Sequence, residues 1–200
     1  MKKIIFLLLF IPAICFSQKS DLELQFDEYE QQGYSKMQIS FGGKYNEELW
    51  SFRKGDQRIN FTPDDLIKAA QDFEKGFNKA VEWDSIADAN NVEKLNKEIP
   101  FNFITTKGML EDAGFEVVGP KKGDFKFERF IMDNKTYSYF KSSVWQNGEY
   151  NVRSAFFSFP SVDVRNPEEV EKFKKFLDFM KSNKTIVEEK IVASKSDLFN

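Results

Sequence analysis

The chain has no histidine, and its one cysteine, Cys15, stands close to the start. Without imidazole there is no Ser-His-Asp triad, no His-bearing zinc site and no histidine acid–base catalysis. Without a cysteine past position 15, the rest of the chain has no thiolate nucleophile, thiol redox pair, cysteine zinc site or internal disulfide. Neither GxGxxG nor GxxxxGK followed by Ser or Thr occurs, so no loop built to cradle phosphate announces itself. Most hydrolase and redox chemistries are thereby excluded. No catalytic, cofactor-binding or metal-ligating residue is expected.

Long apolar runs are scarce as well. The longest opens the chain: Lys2 and Lys3, an unbroken apolar stretch over 4–11, then Pro12-Ala13-Ile14-Cys15-Phe16-Ser17. This is the pattern of an export signal, residues 1–17, cut before Gln18. The apolar stretch is shorter than the roughly 20 residues that cross a bilayer, so no transmembrane span is expected once it is removed. Lipid anchoring through Cys15 fits poorly, because Ile14 before it is too bulky. Cleavage after Ser17 places the small residues Cys15 and Ser17 at the −3 and −1 positions. The Ser17-Gln18 junction resembles that of exported proteins from Flavobacterium-like Gram-negative bacteria. That resemblance covers only the leader, and it implies a periplasmic or secreted protein.

Removing the leader takes away two lysines and no acid, leaving 27 basic groups against 32 acidic ones and a net charge of −5. A mild acidic excess of mixed sign argues against nucleic acid or an anionic membrane surface as partner. Residues 18–200 are expected to form a single α+β domain. With no disulfide available, its stability has to come from apolar burial. Twenty of the 23 phenylalanines remain, and each contributes about 1.5–3 kcal/mol when fully buried.

Along the chain, Leu22, Leu24 and Phe26 suit an edge strand or a loose lead-in. Alternation over 36–41, 48–53 and 58–61, with turns at Gly42-Gly43 and Gly55-Asp56, predicts three antiparallel strands. A helix follows, with Thr62 as N-cap, Pro63 in the first position and Asp64-Asp65 at the positive end of the dipole. Leu66, Ala70, Phe73, Phe77 and Val81 form its apolar face, and it stops at Asn90-Asn91. Short strands are expected at 101–106 and 115–118, with a turn at 111–114. The clearest β pattern is a second meander: 124–131, a turn at Asp133-Asn134, 136–145, a hairpin turn at Asn147-Gly148, and 150–159, ended by Pro160.

A second helix starts at Asn166-Pro167-Glu168-Glu169, with Glu169 as capping-box partner. It is expected to end near Asn183, followed by a strand over 185–192 and a frayed tail. The two helix starts share one grammar, and each follows a meander. The sequence therefore suggests pseudo-repeat halves, 35–90 and 124–183, around a shared Phe-rich core; the alternative is that good caps recur by chance.

Candidate contact residues come from the second meander. Alternation puts Tyr137, Tyr139 and Trp145 on one face, with Phe140 and Val144 on the other. Such a row suits stacking on sugar rings or on a partner's side chains; alternatively, one face is core and the other carries ordinary amphipathic tyrosines. Trp50 and Trp83 are open to the same two readings. The acidic pairs Glu47-Glu48, Asp64-Asp65, Glu111-Asp112 and Glu188-Glu189 offer carboxylates for glycoside hydrolysis, which needs two of them across a cleft. Asp84 and Asp88 lie one helical turn apart, within reach of a shared cation, but lack the alternating oxygens and glycine of a calcium loop. Ser51-Phe52-Arg53-Lys54 matches SxxK, with no KTG to accompany it. Asp84-Ser85-Ile86 resembles the O-glycosylation site of exported proteins in the same bacterial group, and Asn60, Asn134 and Asn183 open N-glycan sequons.

By elimination, the sequence predicts an exported, non-catalytic protein that binds a protein or envelope component. A carboxylate-dependent glycan hydrolase and a structural or assembly accessory of the envelope, joined through sheet edges, are the alternatives.

Overall fold

The computed structural model describes residues 22–24, 37–44, 47–105, 110–112, 115–117, 121–147 and 154–197. The leader expected over 1–17, with Cys15, and the expected junction at Gln18 lie outside the described residues. The fold is α+β: two antiparallel sheets and two helices, with a meander ahead of each helix.

The first sheet is built on β2 (Met37–Lys44), β3 (Glu47–Lys54) and β4 (Gln57–Phe61). Here β2 runs straight through the two glycines expected to turn. Gly42 pairs with Leu49, Gly43 with Glu48 and Lys44 with Glu47, so the link is at 45–46. The register is set by what it buries: Ile39 opposite Phe52 and Phe41 opposite Trp50 all face the core, and a slip of one residue would turn each of them to solvent. Gly55, at φ +59°, closes the next turn with Lys54 opposite Gln57, as expected. The short strands β1 (Leu22–Leu24), β6 (Leu110–Asp112) and β7 (Phe115–Val117) complete the order β1-β2-β3-β4-β6-β7. Glu111 and Asp112, expected in a turn, are strand residues paired with Arg58 and Gln57.

The second sheet contains β5 (Leu95–Thr105), β8 (Lys121–Met132), β9 (Lys135–Asn147) and β10 (Ser154–Ser158), in the order β10-β9-β8-β5. Asp133 and Asn134, at φ +49° and +59°, make the two-residue turn between β8 and β9, a geometry that requires positive φ at both positions. The β9–β10 hairpin is present, but not with the expected register. A two-residue turn at Asn147-Gly148 would place Gln146 opposite Glu149, whereas Gln146 pairs with Ala155. Burial of Val144 opposite Phe157 fixes the register instead; residues 148–153 lie outside the described residues.

The strand ends at Ser158, ahead of Pro160 as expected, but the chain then pairs with the same neighbour again. After Ser158 pairs with Ser143, β11 (Val162–Asp163) resumes along the same β9, with Val162 opposite Phe140. Three residues, 159–161, therefore face two of β9, which is a bulge. The other border strand, β5, has a register irregularity between Ile99 and Asn102, at Pro100.

Helix α1 (Pro63–Ala89) begins as the sequence predicts, with Thr62 Oγ1 accepting from the Asp65 N–H at 3.2 Å. Its buried face holds Leu66, Ala69, Ala70, Phe73, Gly76, Phe77 and Ala80, whereas Val81 is exposed. Helix α2 (Pro167–Asp197) is longer than expected. Asn183 does not end it, and the strand expected at 185–192 is helix. The Asn183 side chain is fully buried, accepting from Trp50 Nε1 at 3.0 Å and donating to the carbonyls of Pro63 and Met180 at 3.1 and 2.7 Å. Its polar groups are met by tertiary partners, so the helix continues and Val187 extends the buried face. At the start of α2, Asn166 Oδ1 caps the Glu168 N–H at 3.1 Å. Glu169 reaches past the cap residue's N–H to accept from the Asp163 N–H at 2.8 Å.

One Phe-rich core joins all the layers. Phe159, at the bulge, lies 4.9 Å from Phe73 of α1, 6.1 Å from Phe52 of β3 and 6.3 Å from Phe176 of α2, centroid to centroid. Edge-on and tilted arrangements dominate, as the ring quadrupoles favour. Among the described residues, no helix is long and apolar enough to cross a membrane.

Candidate functional site

Three features stand apart from the core, and β9 runs through all of them.

The first is aromatic. Phe140 and Val144 face the core, and Tyr137 and Tyr139 lie half-buried on the opposite face of the sheet. Their rings are nearly parallel, 6.2 Å apart at 12°. Phe130, opposite Tyr137 on β8, stacks on it at 5.5 Å and lies 5.9 Å from Tyr139. Lys135 Nζ stands 5.1 Å from the Tyr137 ring centroid. Trp145 belongs to β9, paired with Lys122 and Phe156; its side chain lies outside the described residues. Phe130 was not singled out in the sequence because its cross-strand partner depends on the β8–β9 register. Trp50 is core, and Trp83 packs partly buried against Phe127.

The second is an acid–arginine lattice between the end of α1 and the second sheet. Buried Arg129 donates from Nη1 to Asp84 and from Nη2 to Asp88, both at 2.5 Å, and from Nε to the Val92 carbonyl at 2.8 Å. Arg165 Nε spans both Asp84 oxygens at 2.9 and 3.0 Å, and its Nη2 reaches Asp88. The Ser138 hydroxyl also donates to Asp84. Hydrogen bonds from Arg129 and Arg165 hold the Asp88 carboxyl below the usual carboxylate range. Burial pulls the Arg165 guanidinium down, but its hydrogen bonds to Asp84 and Asp88 outweigh this and its pKa is raised. The two aspartates that the sequence offered to a cation are thus engaged by guanidinium groups, whose planar forks match carboxylates. Ser85, between them, is in mid-helix with its hydroxyl donating to the Val81 carbonyl at 3.1 Å. Neither arginine carried a local signal, since each lies more than forty residues from the two aspartates. Among the described residues, no group of three or more acidic side chains is arranged to hold a metal ion.

The third is a cleft of about 360 Å³ at the bulge between β10 and β11. Lys54 from the end of β3, Lys126 from β8 and Lys141 from β9 converge on it, with serine hydroxyls at 142, 143, 158 and 161. Burial draws the Lys54 ammonium below the ordinary lysine pKa. Lys126 and Lys141 are neighbours across β8 and β9, two pairs along from Glu128 and Tyr139 and on the same face. The aromatic rings therefore share a sheet face with two of the cleft's lysines, Lys126 and Lys141.

No protein-family model matches the chain, and no curated protein or solved structure matches it either.

Proposed function

We propose that the chain is an exported, non-catalytic protein that holds an envelope component against the outer face of β8 and β9. The observation that carries this reading is the set of near-parallel rings, Phe130, Tyr137 and Tyr139, on the sheet face turned away from the core. Burying aromatic surface is the largest apolar gain a side chain offers, yet these three remain only half-buried although thirteen other phenylalanines among the described residues are buried. Tyrosine presents a broad, stiff contact with few torsions to freeze, which suits a binding face. The missing imidazole and thiol groups support a binding role over a catalytic one. The acids that the fold draws together, Asp84 and Asp88, are engaged by Arg129 and Arg165 rather than set across a cleft for glycoside hydrolysis.

The test is co-sedimentation of the purified mature chain with insoluble envelope material. The chain is expected in the pellet, and Y137S/Y139S is expected to bind about tenfold or more weakly, as for central aromatic contacts elsewhere. Equal retention of the variant, or no retention of the parent chain, overturns the reading.

A further inference from the structure

The chain is acidic overall, yet one place on it gathers positive charge. Among the described residues, the cleft at the bulge is lined by three lysines and by no acidic residue. These lysines come from three strands in two sheets, so the concentration is invisible in the mixed charge of the sequence. Hydroxyls at Ser143, Ser158 and Ser161 add hydrogen-bond donors beside the ammonium groups. Phe156, a large ring left 47 % exposed, also lines the cleft. Bulges recur where a sheet re-aims side chains toward a site, and here the bulge sets Pro160 and Ser161 in the lining.

Two of the cations, Lys126 and Lys141, sit in ion pairs at the surface. Lys126 faces Glu98 at 3.9 Å with the acid 84 % exposed, and Lys141 pairs with Glu128 at the surface. Exposed pairs of this kind hold little energy, so an incoming oxyanion can displace them. Lys54, partly desolvated, gains from an anion that favours its charged form.

Tyr139 and Lys141 are two positions apart on β9, about 7 Å along the strand, and their side chains share a face. A ligand lying along this face meets aromatic rings first and then ammonium and hydroxyl groups, once it takes the place of Glu128, opposite Tyr139, on Lys141. Sugar rings bearing oxyanions have that pairing of surfaces. We infer that the cleft binds the anionic groups, carboxylate or sulfate ester, of an acidic polysaccharide whose sugar rings rest on Tyr137 and Tyr139. This inference rests on the reading of the β8–β9 face as the binding surface.

The experiment titrates the mature chain with dextran sulfate, with polygalacturonate and with neutral dextran at low and high salt. Two variants are run beside it, K126Q/K141Q and Y137S/Y139S. Binding to at least one of the two charged polymers, screened by salt, is expected, with none to neutral dextran. Which charged polymer binds identifies the oxyanion. K126Q/K141Q is expected to lose about tenfold or more in affinity while unfolding like the parent, since both lysines are exposed. Failure of both charged polymers, or equal binding by the lysine variant, overturns the inference. So does binding to anionic phospholipid vesicles in place of the polymers, or competition by free sulfate at equal charge concentration. If the polymers fail while Y137S/Y139S still loses envelope retention, the binding face stands and the acidic-glycan assignment falls. If the polymers bind the parent and the tyrosine variant alike, the cleft stands and the aromatic face falls.

Discussion

Trp50 Nε1 donates to Asn183 Oδ1 at 3.0 Å, tying β3 to the middle of α2 across 133 residues of chain. The same amide donates to the Pro63 carbonyl in the first turn of α1. One buried side chain thus joins the first sheet and both helices.

Replacing Asn183 by Ala leaves the Trp50 N–H without its partner inside the core, at a cost of about 1–3 kcal/mol. Urea unfolding of N183A, W50F and the double variant checks this. The two effects should fall clearly short of additive, because both remove the same contact. Full additivity would mean that the hydrogen bond contributes nothing.

Gly76 poses helix propensity against packing. Alanine is favoured over glycine in a helix interior by about 1 kcal/mol. At this position, however, a Cβ would lie 3.0 Å from Phe125 Cδ2 and 3.1 Å from Phe140 Cε2. Both rings are fully buried among other rings, and overpacking costs about 1–3 kcal/mol. G76A should therefore lower the melting temperature; a rise would show that the rings yield.

Arg129 is 5 % exposed and serves two carboxylates and a carbonyl. R129A leaves part of that charge uncompensated, and about 3 kcal/mol should be lost. R129K keeps the charge but cannot span Asp84 and Asp88 with one planar fork. It should recover less than half of the loss in denaturant unfolding, and full rescue by lysine would make charge alone sufficient.

Asp88 gives the lattice an acid limit. Its folded pKa is depressed by Arg129 and Arg165, so its contribution is complete above the unfolded carboxylate value of about 3.9. That contribution is lost as pH falls through the lower folded value. The stability gap between the parent chain and D88N should be constant at neutral and mildly acidic pH and close below about pH 4. A gap that persists at the lowest pH would assign the effect to something other than the carboxylate charge.

Local chemistry was legible in the sequence. Thr62, Pro63, the turn at Asp133-Asn134 and the end of α1 at Asn90-Asn91 each depend on a few adjacent residues, and each could be read from them. Readings that depended on distant partners failed. Asn147-Gly148 is a strong turn signal by itself, but burial of Val144 against Phe157 outweighs it. Asn183 resembles a helix end until Trp50 is placed beside it. Val81 fits the helical spacing, yet Ala80 faces the core in its place. For the candidate site, alternation placed Tyr137 and Tyr139 on the face opposite Phe140, whereas the Phe130 contact, the arginine lattice and the lysine cleft arise only when elements distant in the chain are brought together.

The proline-marked irregularities at the two borders of the second sheet have a consequence for how these molecules meet one another. A foreign strand arriving at β10 finds the ladder broken at Pro160, and one arriving at β5 finds it disturbed at Pro100. The terminal strands of the first sheet, β1 and β7, are each three residues long. Among the described residues no flank offers a long, even template for recruitment, which disfavours zipping of crowded copies into fibres.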